Sequence, residues 1–289
     1  MKKLDLHMHS NFSDDGQLTP EEIVDKAIAN GIEVISITDH NSIKANEIAI
    51  DYVKNKNIKY ISGIEIDCQY NGLNLHLLGY NFDFTKDSFL KLEEDIINKE
   101  KKAGIKRIEK IKELTKLHLD EEEIFKKSKD GIVTGELIAE VLLDDDRNKD
   151  SETLKAYRDN GTRSDMPYVN FYWDYFSQGK PAYIHIEYID LSKALSLIKD
   201  NGGVAIMAHP GNNLKHNRNI IDELISLGID GIEVFSSYHN KDDIEFFYNK
   251  CITEDLLISC GSDFHGKNKP NIDIGKFEFT FDSSRIVFS

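Results

Sequence analysis

Short apolar, β-branched runs alternate with helix-like segments along most of this chain, and the alternation limits the folds open to it. Runs such as "KKLDLHMH", "EVISITDH" and "VAIMAHPG" are typical of strands, whereas the segments between them have helical periodicity. One such segment, "TPEEIVDKAIANG", begins with Thr19 as a helix cap, Pro20 at the first helical position and Glu22 three residues past the cap. Strands separated by helices indicate parallel βαβ units, and roughly seven or eight of them predict an α/β protein built as a βα barrel.

The alternation is interrupted in the middle of the chain. From about residue 85 to residue 180 the sequence is heavily charged, has helical periodicity and contains almost no strand-like run. Strand patterns return at "PAYIHI" and continue to "LLISCGSDFHG". We therefore predict a barrel in two parts, residues 1–84 and residues 181–289, separated by a helical insertion at residues 85–180.

Composition excludes several classes of protein. The formal net charge is −15, which argues against a protein that grips long nucleic acid through a basic face. No run of about 18 apolar residues is present, so no membrane span is expected. The two lysines near Met1 are not followed by an apolar signal core, which favours a cytoplasmic location. The three cysteines, Cys68, Cys251 and Cys260, are widely spaced and are predicted to be buried thiols.

Polar residues occur at or near the C-terminal ends of the predicted strands. In "LDLHMHS", His7 and His9 are two residues apart and therefore point to the same face of a strand. Because the C-terminal ends of barrel strands meet on one side of the fold, the other polar residues are expected to lie close to this pair. Six of the chain's ten histidines belong to the set, which predicts a metal site formed by His7, His9, Asp39, His40, Glu65, His76, His209, Asp263 and His265.

The number and type of these side chains indicate more than one metal ion, since a single ion usually takes about four to six ligands. Mixed nitrogen and oxygen donors without a nearby cysteine suit Zn²⁺, Mn²⁺ or Fe²⁺. A carboxylate such as Glu65 can bridge two ions and hold them about 3.5–4 Å apart. That spacing favours in-line attack on phosphorus by a metal-bound hydroxide.

The segments that carry these residues are "DLHMHSNFSDDG", "ITDHNS", "GIEI", "AHPG" and "GSDFHG". Their order and spacing, from Asp5 to Gly266, resemble those of the polymerase and histidinol phosphatase (PHP) family of metal-dependent phosphoesterases. The resemblance implies a distorted seven-stranded βα barrel with a centre of three divalent metal ions.

The resemblance also implies how the ligands divide among the three ions. After His9 the family usually reads Ser-Asp-Gly, whereas this chain reads Ser13-Asp14-Asp15-Gly16. Counting five residues on from His9 selects Asp14 as the ligand, and Asp15 is the alternative. The implied sets are His7, His9, Glu65 and Asp263 for the first ion, Glu65, His76 and His209 for the second, and Asp14, His40 and His265 for the third.

The insertion and the stretch from "NFYWDYFSQGKPAYIHI" to "AHPG" resemble one branch of the family. That branch contains stand-alone enzymes that hydrolyse nucleoside 3′,5′-bisphosphates or trim short RNA from its 5′ end, and in which the insertion caps the barrel mouth. This chain lacks the branch's Arg-Pro-His-like segment, where it reads "VTGELIA", and has Asn212-Asn213 in place of Arg-Tyr. The resemblance implies a nucleotide or the 5′ end of a short RNA or DNA as the first expectation for the substrate, and the missing basic groups weaken the case for a second phosphate. The alternatives are a histidinol-phosphate-type or other small-molecule phosphatase and a non-catalytic, metal-stabilised module.

Residues beyond the ligands are proposed for the substrate. His185, at the end of "PAYIHI", and His239, after "GIEVFSSY", could orient a phosphate or protonate the leaving oxygen, or they could be hydrogen-bonded rim histidines. Glu233 could support a ligand histidine, with a structural carboxylate as the alternative. The candidate basic groups for a terminal phosphate are Arg147, Arg158, Arg163, Lys180, His216 and Arg218.

Overall fold

The computed structural model describes residues 3–214, 217–278 and 285–288. The chain divides into two compact units. Unit 1 comprises Met1–Glu93, Tyr188–His265 and Ile272–Ser289, and unit 2 comprises Glu94–Glu187 and Gly266–Asn271. The units thus change after residues 93 and 187, whereas the sequence predicted changes after residues 84 and 180. Residues 266–271 also belong to unit 2, and the sequence pattern did not predict this.

The secondary structure alternates as the sequence predicts, although several strands are short. The strands are β1 (Leu4–Asp5), β2 (Val34–Ile35), β3 (Lys59–Tyr60), β4 (Gly63–Tyr70), β5 (Leu73–Tyr80), β6 (Ile189–Asp190), β7 (Val204–Met207), β8 (Gly231–Ser236) and β9 (Leu257–Gly261). The α-helices are α1 (Pro20–Ala29), α2 (Lys44–Val53), α3 (Asp87–Leu114), α4 (Glu121–Lys127), α5 (Gly135–Asp144), α6 (Pro167–Tyr175), α7 (Leu191–Lys199), α8 (Pro210–Asn213), α9 (Ile220–Leu227) and α10 (Lys241–Thr253).

The strands of unit 1 form two sheets rather than the predicted seven-stranded barrel. One sheet has the order β1-β2-β3 and is parallel, and the other has the order β6-β4-β5-β7-β8-β9. In the larger sheet β4–β5 and β5–β7 are antiparallel, while the other neighbours are parallel. The α/β class is therefore confirmed, but the described residues contain no closed barrel. The predicted strand "PAYIHI" is also wrong, since residues 183–188 have no regular secondary structure.

The predicted seven-stranded barrel is not confirmed, because β1, β2 and β3 pair over only two residues each. Beyond these pairs the chain leaves the ladder, and two isolated bridges link it to the larger sheet. They join Met8 to Phe264 and His40 to Glu65. A run of alternating apolar residues predicts an extended chain, but it does not fix how many residues stay in register with a neighbour.

The first helix of unit 1 begins where the sequence predicted. The Thr19 hydroxyl accepts a hydrogen bond from the Glu22 backbone N–H, and the Glu22 carboxylate accepts one from the Thr19 N–H. Such a cap typically stabilises a helix by about 1 kcal/mol. The helix buries Ile23, Val24 and Ala27 in a core that also contains side chains from α2 and from the strand β2.

Unit 2 is helical and has its own apolar core, formed by side chains of α3, α4, α5, α6 and the loops between them. Helices α5 and α6 approach closely at Gly135, where an added Cβ would lie 2.6 Å from the Phe176 ring. Arg107 forms a buried ion pair with Glu100 at 2.7 Å and also donates to the Val133 carbonyl. No helix in the described parts of either unit is long and apolar enough to cross a membrane.

Candidate metal centre

The polar side chains that follow the predicted strands meet in unit 1. His7 and His9 follow β1, and His40 follows β2. Glu65 lies within β4 and His76 within β5. The structure brings together every residue of the predicted site except Asp14 and Asp39, in groups whose donor atoms lie close enough to hold an ion. Three groups correspond to the predicted sets: His7, His9, Glu65 and Asp263; Glu65, His76 and His209; and His9, Asp15, His40 and His265. A fourth group, His40, Asp67 and His76, shares His40 with the third group and His76 with the second.

The first group is fully buried and its donor atoms are close together. The Nε2 atoms of His7 and His9 are 3.1 Å apart. Glu65 Oε2 lies 3.2 Å from His7 Nε2 and 3.1 Å from His9 Nε2. Asp263 Oδ1 lies 3.2 Å and 3.0 Å from the same two nitrogens. Two carboxylate oxygens and two imidazole nitrogens therefore converge on one point.

The hydrogen bonds of the Nδ1 atoms of His7 and His9 determine whether their Nε2 atoms can bind a metal ion. His7 Nδ1 lies 2.9 Å from Glu233 Oε1 and donates to it. His9 Nδ1 lies 3.0 Å from the Ser13 hydroxyl, whose own proton goes to Asp39 Oδ1. With both protons on Nδ1, the two Nε2 atoms present lone pairs to each other and to two carboxylates. Four lone pairs facing one point fit a divalent cation.

In the ion-free chain, the carboxylates around His7 favour its protonated form, whose charge partly replaces that of a cation. Burial lowers the pKa of His7, but the carboxylates of Glu233, Glu65 and Asp263 outweigh burial and raise that pKa well above 6.5. Burial raises the pKa of Glu65, and the imidazoles of His7, His76 and His40 more than reverse it. Metal binding must therefore displace protons from this cluster.

Glu65 connects the first group to the second through its two oxygens. Its Oε2 faces His7 and His9, whereas its Oε1 lies 3.0 Å from His76 Nδ1 and 3.1 Å from His209 Nε2. This division is the geometry expected of a carboxylate that bridges two ions. His209 Nδ1 donates to Asn213 Oδ1 at 2.8 Å, which leaves the lone pair of Nε2 directed at the group.

The third group corrects the choice between the two consecutive aspartates. Asp15 Oδ2 lies 3.1 Å from His265 Nε2, while Asp14 is exposed. His265 Nδ1 lies 2.8 Å from the Asp263 backbone carbonyl and donates to it, so Nε2 offers a lone pair to this group as well. The loop turns sharply here because Gly16 packs on Ser10, and a Cβ at this glycine would overlap the Ser10 carbonyl oxygen.

Asp39 supports the centre without joining any of the three groups. Its carboxylate accepts hydrogen bonds from the Ser10 N–H at 2.6 Å, the Ser10 hydroxyl at 2.6 Å and the Ser13 hydroxyl at 3.0 Å. The Ser13 oxygen in turn accepts from the His40 N–H at 2.9 Å. This network fixes the loop that carries His9 and Asp15 against the end of β2.

Three further residues contact the ligands, and the sequence pattern identified only one of them. Glu233 accepts from His7 Nδ1 and, through Oε2, from the His209 backbone N–H at 2.7 Å. Tyr238 donates its hydroxyl proton to Asp263 Oδ2 at 2.6 Å. Asp67 lies 3.2 Å from His40 Nδ1. A usable signal existed for Asp67, because it is two residues beyond Glu65 on the same face of β4.

Substitution of Tyr238 by phenylalanine tests the support of Asp263. The variant keeps the ring against His209 but leaves Asp263 Oδ2 without its hydroxyl donor, so the carboxylate can rotate. We expect about a tenfold loss of Mn²⁺ affinity, the lower end of the range for partners of metal ligands. Tyr70→Phe is the matched control, since it removes an exposed hydroxyl that donates to Glu223. Equal affinity in the two variants would contradict the assigned role.

The two histidines proposed for the substrate differ in their surroundings. His239 is buried; its Nδ1 donates to the Val234 carbonyl at 2.8 Å and its Nε2 accepts from the Gly211 N–H at 2.9 Å. Burial lowers the pKa of His239. Both ring nitrogens are thus engaged and the ring is neutral, which corrects the proposed catalytic role to a structural one. His185 is an exposed residue of unit 2, and its role stays a prediction.

Most of the candidate basic groups are engaged within the fold. Arg163 forms two hydrogen bonds with the Asp174 carboxylate. Arg158 donates to the carbonyls of Leu143 and Asn148. Arg147 pairs with Asp145 and Asp120, and Arg218 pairs with Asp243. Lys180 is exposed, and His216 lies outside the described residues.

Comparison with known proteins identifies the family of this chain. Residues 5–160 match the PHP domain. The chain is 30% identical to a 5′-3′ exoribonuclease of Haemophilus influenzae, over 94% of this chain and 96% of that protein. It is 28% identical to a 3′,5′-nucleoside bisphosphate phosphatase of Chromobacterium violaceum, over 96% and 92% of the two chains.

A solved structure has a similar fold. It is described as an amidohydrolase from Chromobacterium violaceum with bound sulfate and no metal. It superposes with a TM-score of 0.80 at 25% identity, covering 98% of this chain and 94% of that one. With the family match, the relatives and the convergent donor groups in agreement, the chain belongs to the PHP domain family and is a hydrolase of the phosphoesterase class.

Proposed function

We propose that this protein hydrolyses a phosphate monoester at a centre of three divalent ions in unit 1, with a nucleotide or the 5′ end of a short oligonucleotide as the substrate. The observation that carries the proposal is the convergence of three donor groups joined by shared residues. Glu65 belongs to the first and second groups, and His9 belongs to the first and third. Donor groups that share residues would hold their ions close enough together to act on one phosphate.

The chain's own residues have defined tasks in this mechanism. Divalent ions, when bound, polarise phosphate oxygens and make water a nucleophile near neutral pH. Glu65 would fix the distance between the first two ions, and the histidines would present lone pairs because Glu233, Ser13 and Asn213 hold their protons. Nitrogen and oxygen donors in such a mixture suit Mn²⁺, Fe²⁺ or Zn²⁺.

Nucleoside 3′,5′-bisphosphate is the first substrate to test. The Chromobacterium relative is named as a phosphatase of this compound, and it aligns with 96% of this chain. One observation favours a second candidate, a small phosphate ester with a single phosphate. Arg147, Arg158 and Arg163 all have partners inside the fold, so none of these three arginines is available for a second phosphate without breaking a contact. A non-catalytic module is disfavoured because the donor set is complete.

The test is phosphate release from adenosine 3′,5′-bisphosphate by protein reconstituted with Mn²⁺. His209→Asn is the inactive control, since His209 has φ 23° and asparagine adopts left-handed backbone more readily than alanine. Release by the wild type and not by the control supports the bisphosphate assignment. If an aryl phosphate is cleaved and the bisphosphate is not, the single-phosphate candidate replaces it. If neither is cleaved, and a short 5′-phosphorylated oligonucleotide is not cleaved either, the proposed function is wrong.

A further inference from the structure

Asp67 lies where the second and third donor groups meet, and no sequence motif of the centre includes it. Its Oδ1 is 3.2 Å from His40 Nδ1 and 3.4 Å from His76 Nε2. His40 belongs to the third group and His76 to the second. We propose that Asp67 is a positioning residue that holds these two imidazoles in their metal-binding orientations and so couples the second and third ions.

The backbone places Asp67 for this task. It is the residue of β4 directly opposite His76 of β5 in the antiparallel register. Side chains of opposed residues lie on the same face of a sheet and are close neighbours. His40 reaches the same face because it forms an isolated bridge with Glu65, two residues before Asp67. Three separate segments of the chain therefore converge on one carboxylate.

A second residue fixes the orientation of that carboxylate. The Asn41 side-chain amide donates to Asp67 Oδ2 at 2.7 Å, and its oxygen accepts from the Asp67 backbone N–H at 3.0 Å. Asn41 has φ 54°, a left-handed conformation that asparagine tolerates better than most residues. With Oδ2 held by the amide, Oδ1 is the oxygen that faces the two imidazoles.

The ring of His76 distinguishes a positioning role from a ligand role. Its Nδ1 faces Glu65 Oε1 at 3.0 Å, within the second group. An imidazole that gives the lone pair of Nδ1 to an ion carries its proton on Nε2. Asp67 Oδ1 lies 3.4 Å from that nitrogen, so we infer that it would act as the acceptor once the ring is turned to bind an ion. A fourth ion between His76 and Asp67 would require a doubly deprotonated ring, which is unfavourable beside the carboxylate of Glu65.

The coupling has a measurable consequence. Without a carboxylate at position 67, His40 and His76 lose a common acceptor, so the second and third groups lose orientation together. The first group keeps His7, His9, Glu65 and Asp263, none of which is within hydrogen-bond distance of Asp67 among the contacts described. We therefore expect the tightest ion to bind as in the wild type and the weaker ions to bind about 10–100-fold less tightly.

The experiment compares Asp67→Asn with Asp51→Asn, which removes a carboxylate from the exposed surface of α2. Mn²⁺ is titrated into each ion-free protein with a competing chelator, and bound metal is counted by mass spectrometry at saturation. We expect both variants to bind three ions at saturation. In Asp67→Asn the two weaker ions should bind about 10–100-fold less tightly than in Asp51→Asn. The Co²⁺-loaded variant should also have a changed visible spectrum, which a general loss of stability would not produce.

Other outcomes overturn the inference. Equal affinities in the two variants would exclude a role for Asp67, and loss of one ion at saturation would identify it as a ligand instead. Should Asp67→Asn fold poorly, Asn41→Gly releases Asp67 Oδ2 while glycine keeps the positive φ, and the same loosening is expected. The inference rests on the proposed metal centre, and wild-type protein that binds no Mn²⁺ would refute the centre itself.

Discussion

Replacement of Glu65 by glutamine is expected to lower kcat for phosphate release by about 10³-fold or more. Glutamine has nearly the same shape, so the change isolates charge and coordination. Its single oxygen can face either His7 and His9 or His76 and His209, and its NH₂ would donate into the remaining lone pairs. One ion would lose a carboxylate ligand, and an N–H of the glutamine would point to the position of that ligand's lone pair.

The measurement is steady-state hydrolysis together with metal counting on the same preparation. Glu47→Gln, an exposed change on α2, is the matched control for loss of one carboxylate. Circular dichroism should confirm that the variant folds, since the removed charge is buried among histidines. Activity within tenfold of the control would mean that Glu65 does not bridge two ions, and the mechanism would have to be abandoned.

Chelation of the ions is expected to abolish hydrolysis and to lower the unfolding temperature by at least about 10 °C, the contribution of one tightly bound ion. An ion at a thousandfold excess over its Kd stabilises the folded state by about 4 kcal/mol, and each kcal/mol corresponds to about 2–4 °C in a domain of 150–250 residues. Differential scanning calorimetry before and after chelation measures the shift. Mn²⁺ or Zn²⁺ should restore both properties and Ca²⁺ should not, because Ca²⁺ prefers oxygen ligands.

The size of the shift should depend on pH in a defined direction. In the ion-free chain the pKa values of His7, His40 and His76 are raised above 6.5: burial lowers each of them, and nearby carboxylates outweigh burial. Stability gained from their protonation is complete below pH 6.5 and is lost as pH rises through the raised pKa values. Ion-free protein should therefore weaken above pH 6.5, so added Mn²⁺ should raise the unfolding temperature more at pH 9 than at pH 6. An equal rise at both pH values would contradict this account.

The sequence could predict the ligands that are tied to strands, because alternation determines which side chains share a face. His7, His9 and Glu65 were identified in this way. Asp15 was named only as the alternative to Asp14, because it lies in a loop where no periodicity selects between two adjacent aspartates. Closure of the barrel is not confirmed either, and the sequence could not settle it, since two-residue ladders such as β1–β2 have no sequence signal that differs from that of longer ones.

Residues that act through a hydrogen bond were hardest to predict. His239 looked like a catalytic histidine because it follows a strand, but its partners are a backbone carbonyl and a backbone N–H. The Tyr238 hydroxyl donates to Asp263 from a neighbouring loop, and the sequence around neither residue predicts this hydrogen bond. Such contacts depend on the distance between segments, which only the folded chain defines.

The first donor group joins His7, near the beginning of the chain, to Asp263, far along it. During synthesis on a ribosome, a chain that has not yet emerged to Asp263 lacks a carboxylate of the first group, and one that lacks His265 has an incomplete third group. Ions at these groups would therefore meet their full donor sets only after His265 has been synthesised. A nascent chain could not use an ion held by the complete first group as a template for its early strands.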